Sequence, residues 1–319
     1  MKYLIFLQSI LFACLGVFLL YYTFNKTNFV EIATVIKQGN HWVMIPVLFV
    51  SVLVYYARVK RWQLLFETIH MKAPANYLFA ALGIGYLVNF AVPRLGEITR
   101  ALILKRTHQF PLNTTLSTII FERTIDTLCL VIILIIAFFL EWLYKGNILT
   151  HFVKYADIFT ANKLLLILLF LIVLIAGYLV ILKFNSKMAI WMKELVQTFF
   201  KLTAIKHKTL FFGETIAIWL GFYLMTYLWF FMFAESISLS AYQAFQVMVL
   251  GVVARSLPIQ AGSAGAYHFV VSQSLLLFGV SLLTGNALAI VIHGFQTILT
   301  LVFGFCAYIW LFFKNRQYV

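Results

Sequence analysis

Between residues 89 and 100 the chain sets Asn89, Pro93, Arg94, Gly96, Glu97 and Arg100 into an otherwise apolar stretch, GIGYLVNFAVPRLGEITRALIL. Arg94 offers a planar fork that matches phosphate, where a lysine would supply only a point charge. Glu97 and Arg100 are three residues apart, so on a helix they share a face and can pair. Pro93 and Gly96 break the helix and free backbone groups. Two readings stay open: Arg94 binds a phosphate headgroup while Glu97 orients an arginine, or the charges form a self-neutralising network that holds the segment together.

A second group is Glu122, Arg123 and Asp126. Glu122 and Asp126 share a helical face, and two adjacent carboxylates repel unless a cation lies between them. Arg94 or Arg100, from the segment just before, is the simplest cation, which favours a structural network; proton coupling through a carboxylate is the sharper alternative. The third group lies in GVVARSLPIQAGSAGAYHFV and comprises Arg255, Pro258, Gly262, Gly265, Tyr267 and His268. Its glycines allow close backbone approach, or a run of free N–H groups able to hold an anion. His268 titrates near neutral pH when unperturbed, although a lone histidine is more often a hydrogen-bonded core residue. His293 stands isolated and reads as structural.

These charges must be positioned by membrane elements. Of 319 residues, 63% are apolar and only 11% charged, against about 25% charged in a soluble domain. Six runs are long enough to cross a hydrocarbon core: 3–24, 42–57, 116–143, 162–183, 210–233 and 286–313. The first is read as a retained span, since Phe12 is too bulky for a cleavage box and the apolar run continues through Tyr22. The second is short unless it continues past Tyr56 with Arg58 and Arg61 snorkelling to the interface. Residues 77–106 and 242–280 are apolar but interrupted, and read as broken or re-entrant hairpins, tolerated at membrane depth where protein or a wet cavity covers them. The fold class is therefore an all-α polytopic membrane protein, in a single integral membrane domain over 1–319.

The net charge of +14 is first a topology signal. The 58–76 and 183–208 loops and the tail hold the basic residues, which places both termini in the cytoplasm. Residues 1–143 and 162–313 each read span, span, broken hairpin, span. Three spans per half would invert the second half relative to the first, the pattern of a transporter with its site near the midplane. Residues 187–202 read as an amphipathic helix, with Met188, Trp191, Met192, Leu195, Phe199 and Leu202 on one face. It lies in the membrane interface or docks on its own bundle.

The three cysteines lie in apolar runs at unrelated spacings, so neither a metal site nor a disulfide pair is expected. There is no P-loop, HExxH or GxSxG pattern, so no catalytic residue and no cofactor are assigned. No basic stretch interleaves with aromatics on a soluble module, and nucleic acid is not an expected partner.

At these clusters the chain resembles the flippase-like transmembrane region of lysylphosphatidylglycerol synthases and its stand-alone relatives. The resemblance rests on Arg58 and Arg61-Trp62, on Asn89, Pro93-Arg94, Gly96-Glu97 and Arg100, on Glu122-Arg123 and Asp126, and on Pro258, Gly262 and Gly265. It covers essentially the whole chain in the same order. Two features depart from the family pattern: Pro93 and Arg94 adjoin rather than being separated by one residue, and Tyr267-His268 stands where a glutamate is frequent. After Phe313 only six residues remain, so the aminoacyl-transfer domain of the synthases is not expected, nor is aminoacylation of lipid.

The resemblance implies translocation of a lipid or lipid-linked intermediate, in the bacterial inner membrane. The expected ligand is an anionic, phosphate-bearing membrane lipid. Arg94, Arg100, Arg255, Arg58 and Arg61 are the candidate headgroup ligands, and Glu97, Glu122, Arg123, Asp126 and His268 balance or couple charge. Asn89, Pro93, Gly96, Pro258, Gly262 and Gly265 make the hairpin breaks. The alternatives are a membrane enzyme acting on a lipid phosphate, and a non-catalytic partner of a separate lipid-modifying enzyme.

Overall fold

The computed structural model describes residues 18, 20–24, 28–92, 94–144, 146, 186–256 and 260–314. Among these residues all regular structure is helical. A helical piece at 20–24 is followed by α1 (Phe29–Gln38), then by a 3-10 turn that runs directly into α2 (Met44–Thr68). Next come α3 (Ala75–Ala91), α4 (Leu95–His108), α5 (Leu112–Leu143), α6 (Ser186–Leu202) and α7 (Lys208–Trp229). The chain continues through α8 (Ala241–Ser256), α9 (Gln260–Leu277) and α10 (Leu282–Lys314). Four of these stretches are long and apolar enough to cross a membrane: His41–Thr68, Leu112–Leu143, Lys208–Met232 and Leu282–Lys314. The protein is a polytopic α-helical membrane protein. The expected span 162–183, and most of 3–24, lie outside the described residues.

The helices of each interrupted region are short. At 1.5 Å per residue, α3 is about 26 Å long and α4 about 21 Å, both below the ~30 Å of a hydrocarbon core. α8 and α9 are similar, at about 24 and 27 Å. Each region is a pair of packed antiparallel legs, as its glycines, prolines and charges foretell.

Two elements differ from the sequence reading. α2 takes the longer of its two readings, extending past Tyr56 to Thr68, so Arg58 and Arg61 lie within a helix rather than in a 58–76 loop. Arg61 does not snorkel: it is fully buried, as are Trp62, Leu65 and Phe66 around it. The apolar residues beyond Arg58 keep the helix packed, and a cation can be held at depth when aromatic and polar groups surround it. α1 was not foreseen, although Asn28 caps its first turn by accepting from the Val30 N–H at 3.0 Å.

The chain divides into two compact units. The first holds residues 1–110 and 205–319. In it α2 packs on α7, α3 on α10 and α4, α8 on α7 and α9, and α9 on α10 and α3. Buried Val47, Val54, Ile218, Trp229 and Leu288 belong to its main core. Helix crossings use small residues, as is usual where lipid gives no hydrophobic drive to association. A Cβ on Gly304 would lie 2.6 Å from the Leu87 Cβ and 2.9 Å from the Gly83 carbonyl oxygen. At one end the Lys206 N–H donates to the Thr68 hydroxyl at 3.3 Å. At the other, the Asn40 N–H donates to the Met232 carbonyl at 2.8 Å, and the Ser281 N–H donates to the Glu235 carboxylate at 2.8 Å.

The second unit, 111–204, contains α5 and α6. The Ser117 hydroxyl donates to the Leu195 carbonyl at 3.0 Å, and Phe121 meets Phe199 edge-on at 5.3 Å. Leu195 and Leu202 are buried while Ile190, Val196 and Phe200 stay exposed. The amphipathic helix expected at 187–202 therefore divides its apolar arc, docking one part on α5 and leaving the rest open.

Candidate functional site

The first hairpin is closed by its backbone. Gly96, in the first turn of α4, lies so near α3 that an added Cβ would stand 2.0 Å from the Gly85 carbonyl oxygen. Its N–H, one of those a helix leaves unsatisfied at its start, donates to the Asn89 side-chain oxygen at 2.6 Å. Asn89 and Gly96 are thus one device, a side-chain cap reaching back from the preceding leg. Arg94 stands between them in the left-handed region, with φ of 68°, and its side chain is exposed. Pro93 lies outside the described residues. Glu97 sits half-buried in the first turn of α4, where the helix dipole favours a carboxylate.

Arg100 faces inward. Only 2% of it is exposed, and its guanidinium carbon lies 3.9 Å from the centre of the Trp62 ring. The structure therefore brings Arg100 to Trp62 and Arg61 of α2, and leaves Arg94 at the tip. Trp62, named in the sequence only beside Arg61 in the family resemblance, is the ring against which Arg100 packs.

In the second unit Glu122 is fully buried. The Arg123 guanidinium stands 3.8 Å from the Glu122 carboxylate and 4.0 Å from that of Asp126. Arg123, next to Glu122 and three residues before Asp126, is thus a cation near both carboxylates.

The second hairpin gathers a different set. Arg255, in the last turn of α8, lies 4.0 Å from the centre of the Tyr267 ring on α9, and the two side chains also share a hydrogen bond. Its Nε and Nη2 are buried and meet no hydrogen-bond acceptor among the described residues. Leaving such donors unmade at membrane depth costs more than an ordinary hydrogen bond gains. Tyr55 of α2 lies within electrostatic reach of both Arg255 and Arg58. It also stacks on Phe303 at 4.7 Å and lies 5.9 Å from Tyr86. Arg58 and Arg255, on different helices, are thus both within electrostatic reach of one tyrosine. Arg58 lies 5.4 Å from the Phe222 ring centre.

His268 is buried, and its Nδ1 bonds the Ala264 carbonyl. A carbonyl only accepts, so Nδ1 carries the proton. The ring lies 5.0 Å from that of His293, which makes His293 a neighbour of the site rather than an isolated residue. Twenty-five residues separate the two in sequence, and no local pattern announces the pairing. Gly265 is buried and Gly262 lies near the start of α9; Pro258 lies outside the described residues. Ser263, between the glycines, has φ of 60°, so each hairpin carries one non-glycine residue in the left-handed region near its break.

The family model for the lysylphosphatidylglycerol synthase TM region matches residues 5–304. The chain belongs to this family. Comparison with curated proteins and with solved structures gives no match. As a lysylphosphatidylglycerol synthase TM-region protein, the chain is a multi-pass membrane protein of a family concerned with membrane lipid, and its match spans nearly the whole sequence. No cluster of three or more His, Cys, Asp or Glu able to hold a metal occurs among the described residues.

Proposed function

We propose that this protein carries an anionic, phosphate-bearing lipid headgroup between the leaflets of the bacterial inner membrane. The observation that carries the reading is Arg255, whose buried Nε and Nη2 have no acceptor among the described residues. A phosphate satisfies both through two parallel hydrogen bonds, while Tyr267 covers one face of the guanidinium. Arg58 adds a second positive charge beside Tyr55, and Arg61 and Arg100 extend the basic lining on α2 and α4.

The two hairpins act as the gating elements. In this reading 1–143 and 162–313 form an inverted repeat with both termini in the cytoplasm, the first hairpin entering from the cytoplasm and the second from outside. The packing of α9 on α3 supports a meeting of the two hairpins near the midplane. Bound lipid changes leaflet and not structure, so the protein acts as a carrier and not as an enzyme.

The test uses purified protein in liposomes that hold fluorescent phosphatidylglycerol, glycolipid or polyprenyl-phosphate probes, with leaflet exposure read by dithionite quenching. Protein-dependent exchange of a phosphate-bearing probe is expected, and Arg255→Gln is expected to abolish it while remaining folded. Absence of exchange for every probe, or full exchange by the folded Arg255→Gln protein, overturns the reading.

A further inference from the structure

The second hairpin holds more than an anion site. His268 on α9 and His293 on α10 bring their rings to 5.0 Å, with Tyr267 6.3 Å from the first and 5.8 Å from the second. Arg255 lies against Tyr267, 4.0 Å from its ring centre. The Phe24 ring, from the segment leading into α1, meets His268 edge-on at 5.7 Å, and Tyr22 packs on Phe269 rather than on the histidine. Among the described residues the charge that acts on His268 is that of Arg255. From α2, Tyr55 lies within electrostatic reach of Arg255 and of Arg58, the other cation of this region.

With Nδ1–H given to the Ala264 carbonyl, His268 can take a second proton only at Nε2, and the His293 ring centre lies 5.0 Å from its own. While Arg255 is unneutralised, its charge opposes that second proton. An anion on Arg255 cancels the opposition. We infer that His268 and His293 form a proton-binding pair linked to the anion on Arg255, so that a phosphate-bearing headgroup and a proton load together. The inference rests on the anion-binding reading of Arg255. By reciprocity of linkage, the proton strengthens anion binding as much as the anion strengthens proton binding. In an energised membrane, paired loading gives the carrier a driving force from the proton gradient.

The experiment is calorimetric titration of the purified full chain with dihexanoyl phosphatidylglycerol at pH 7, in two buffers of different ionisation enthalpy. A phosphodiester keeps a single charge across this range, so any proton taken up goes to the protein. Uptake of about half a proton per bound lipid is expected, with affinity falling about tenfold between pH 6 and pH 8, since the slope of log affinity against pH equals the proton uptake. His268→Gln and His293→Gln should still bind while taking up essentially none.

A second arm uses glycerophosphoglycerol, the same diester without acyl chains. Uptake with it assigns the linkage to the headgroup alone, and uptake with the lipid only assigns it to a chain-anchored lipid; both support the pair. Binding that depends on Arg255 but brings no proton, or uptake unchanged in both histidine variants, overturns this inference alone. Binding undiminished in Arg255→Gln, or no binding to the wild-type protein, overturns the anion site and the pair together. The proton count of the wild-type protein needs no variant to fold.

Discussion

The two hairpins break in the same way and are finished differently. In the first, the break is sealed by backbone contact between Gly85 and Gly96 and by the Asn89 cap, and its inward arginine lies on Trp62. In the second, the inward arginine keeps two buried donors without an acceptor among the described residues, and a histidine pair lies behind it. The lesson is that a charge at membrane depth has two uses that sequence alone does not separate. Both inward arginines lie over an aromatic ring, Arg100 over Trp62 and Arg255 over Tyr267, and under the carrier reading proposed above Arg255 is the one kept for the ligand.

Substitutions sharpen that contrast. Gly96→Val has the largest expected effect, since its Cβ would meet the Gly85 oxygen at 2.0 Å; a loss of about 3 kcal/mol or more is expected, seen as failure to elute as a single species from size exclusion. Arg100→Gln comes next, removing a buried cation from Trp62 at a cost of about 2 kcal/mol, read as a lower melting temperature in detergent. Asn89→Ala leaves the Gly96 N–H without its cap, costing about 1 kcal/mol, whereas Asn89→Asp keeps the acceptor and should recover most of it. Arg255→Gln also takes a cation off Tyr267, but in the empty protein it removes buried donors that meet no acceptor among the described residues, so its cost should be smaller than that of Arg100→Gln. If Arg255→Gln destabilises as much as Arg100→Gln, the contrast between the hairpins collapses.

The smallest effect is confined to acid. The Ser281 hydroxyl, and then its N–H, hold the Glu235 carboxyl below its ordinary value of 4.5. The unfolded chain binds that proton first, so the stabilisation is complete above about pH 4.5 and is lost as pH falls through the lower folded value. Glu235→Gln should flatten the acid limb of melting temperature against pH.

What was legible in the sequence was whatever is encoded locally. Glycine, proline and charge inside an apolar run marked both hairpins, because each of those residues changes the backbone where it stands. The 186–202 helix was legible from its apolar period. α1 could have been found, since Asn28 and Gly39 bracket an apolar-periodic stretch with Glu31 in its first turn. The 58–76 loop came out too long because charge at Arg58 and Arg61 was weighed as a sign of water, when Trp62 and Phe66 continue the buried face. The nearness of Arg58 and Arg255 to Tyr55, and of His268 to His293, could not be read at all. Those meetings depend on which helices pack together, and nothing in the spacing of one segment records the neighbour it will have.

α5 bears on the bilayer itself. Its exposed apolar residues clear of charge extend from Leu128 to Phe139, Trp142 and Leu143, a length of about 23 Å at 1.5 Å per residue, with Arg123 and Asp126 in the turns just before. A hydrocarbon core is ~30 Å thick. Either the surrounding lipid thins, or Arg123, 42% exposed, reaches along the helix to the interface, at a modest cost for each ångström of mismatch. Membrane thickness therefore becomes a variable to which this protein responds, and shorter acyl chains should relieve the mismatch at α5.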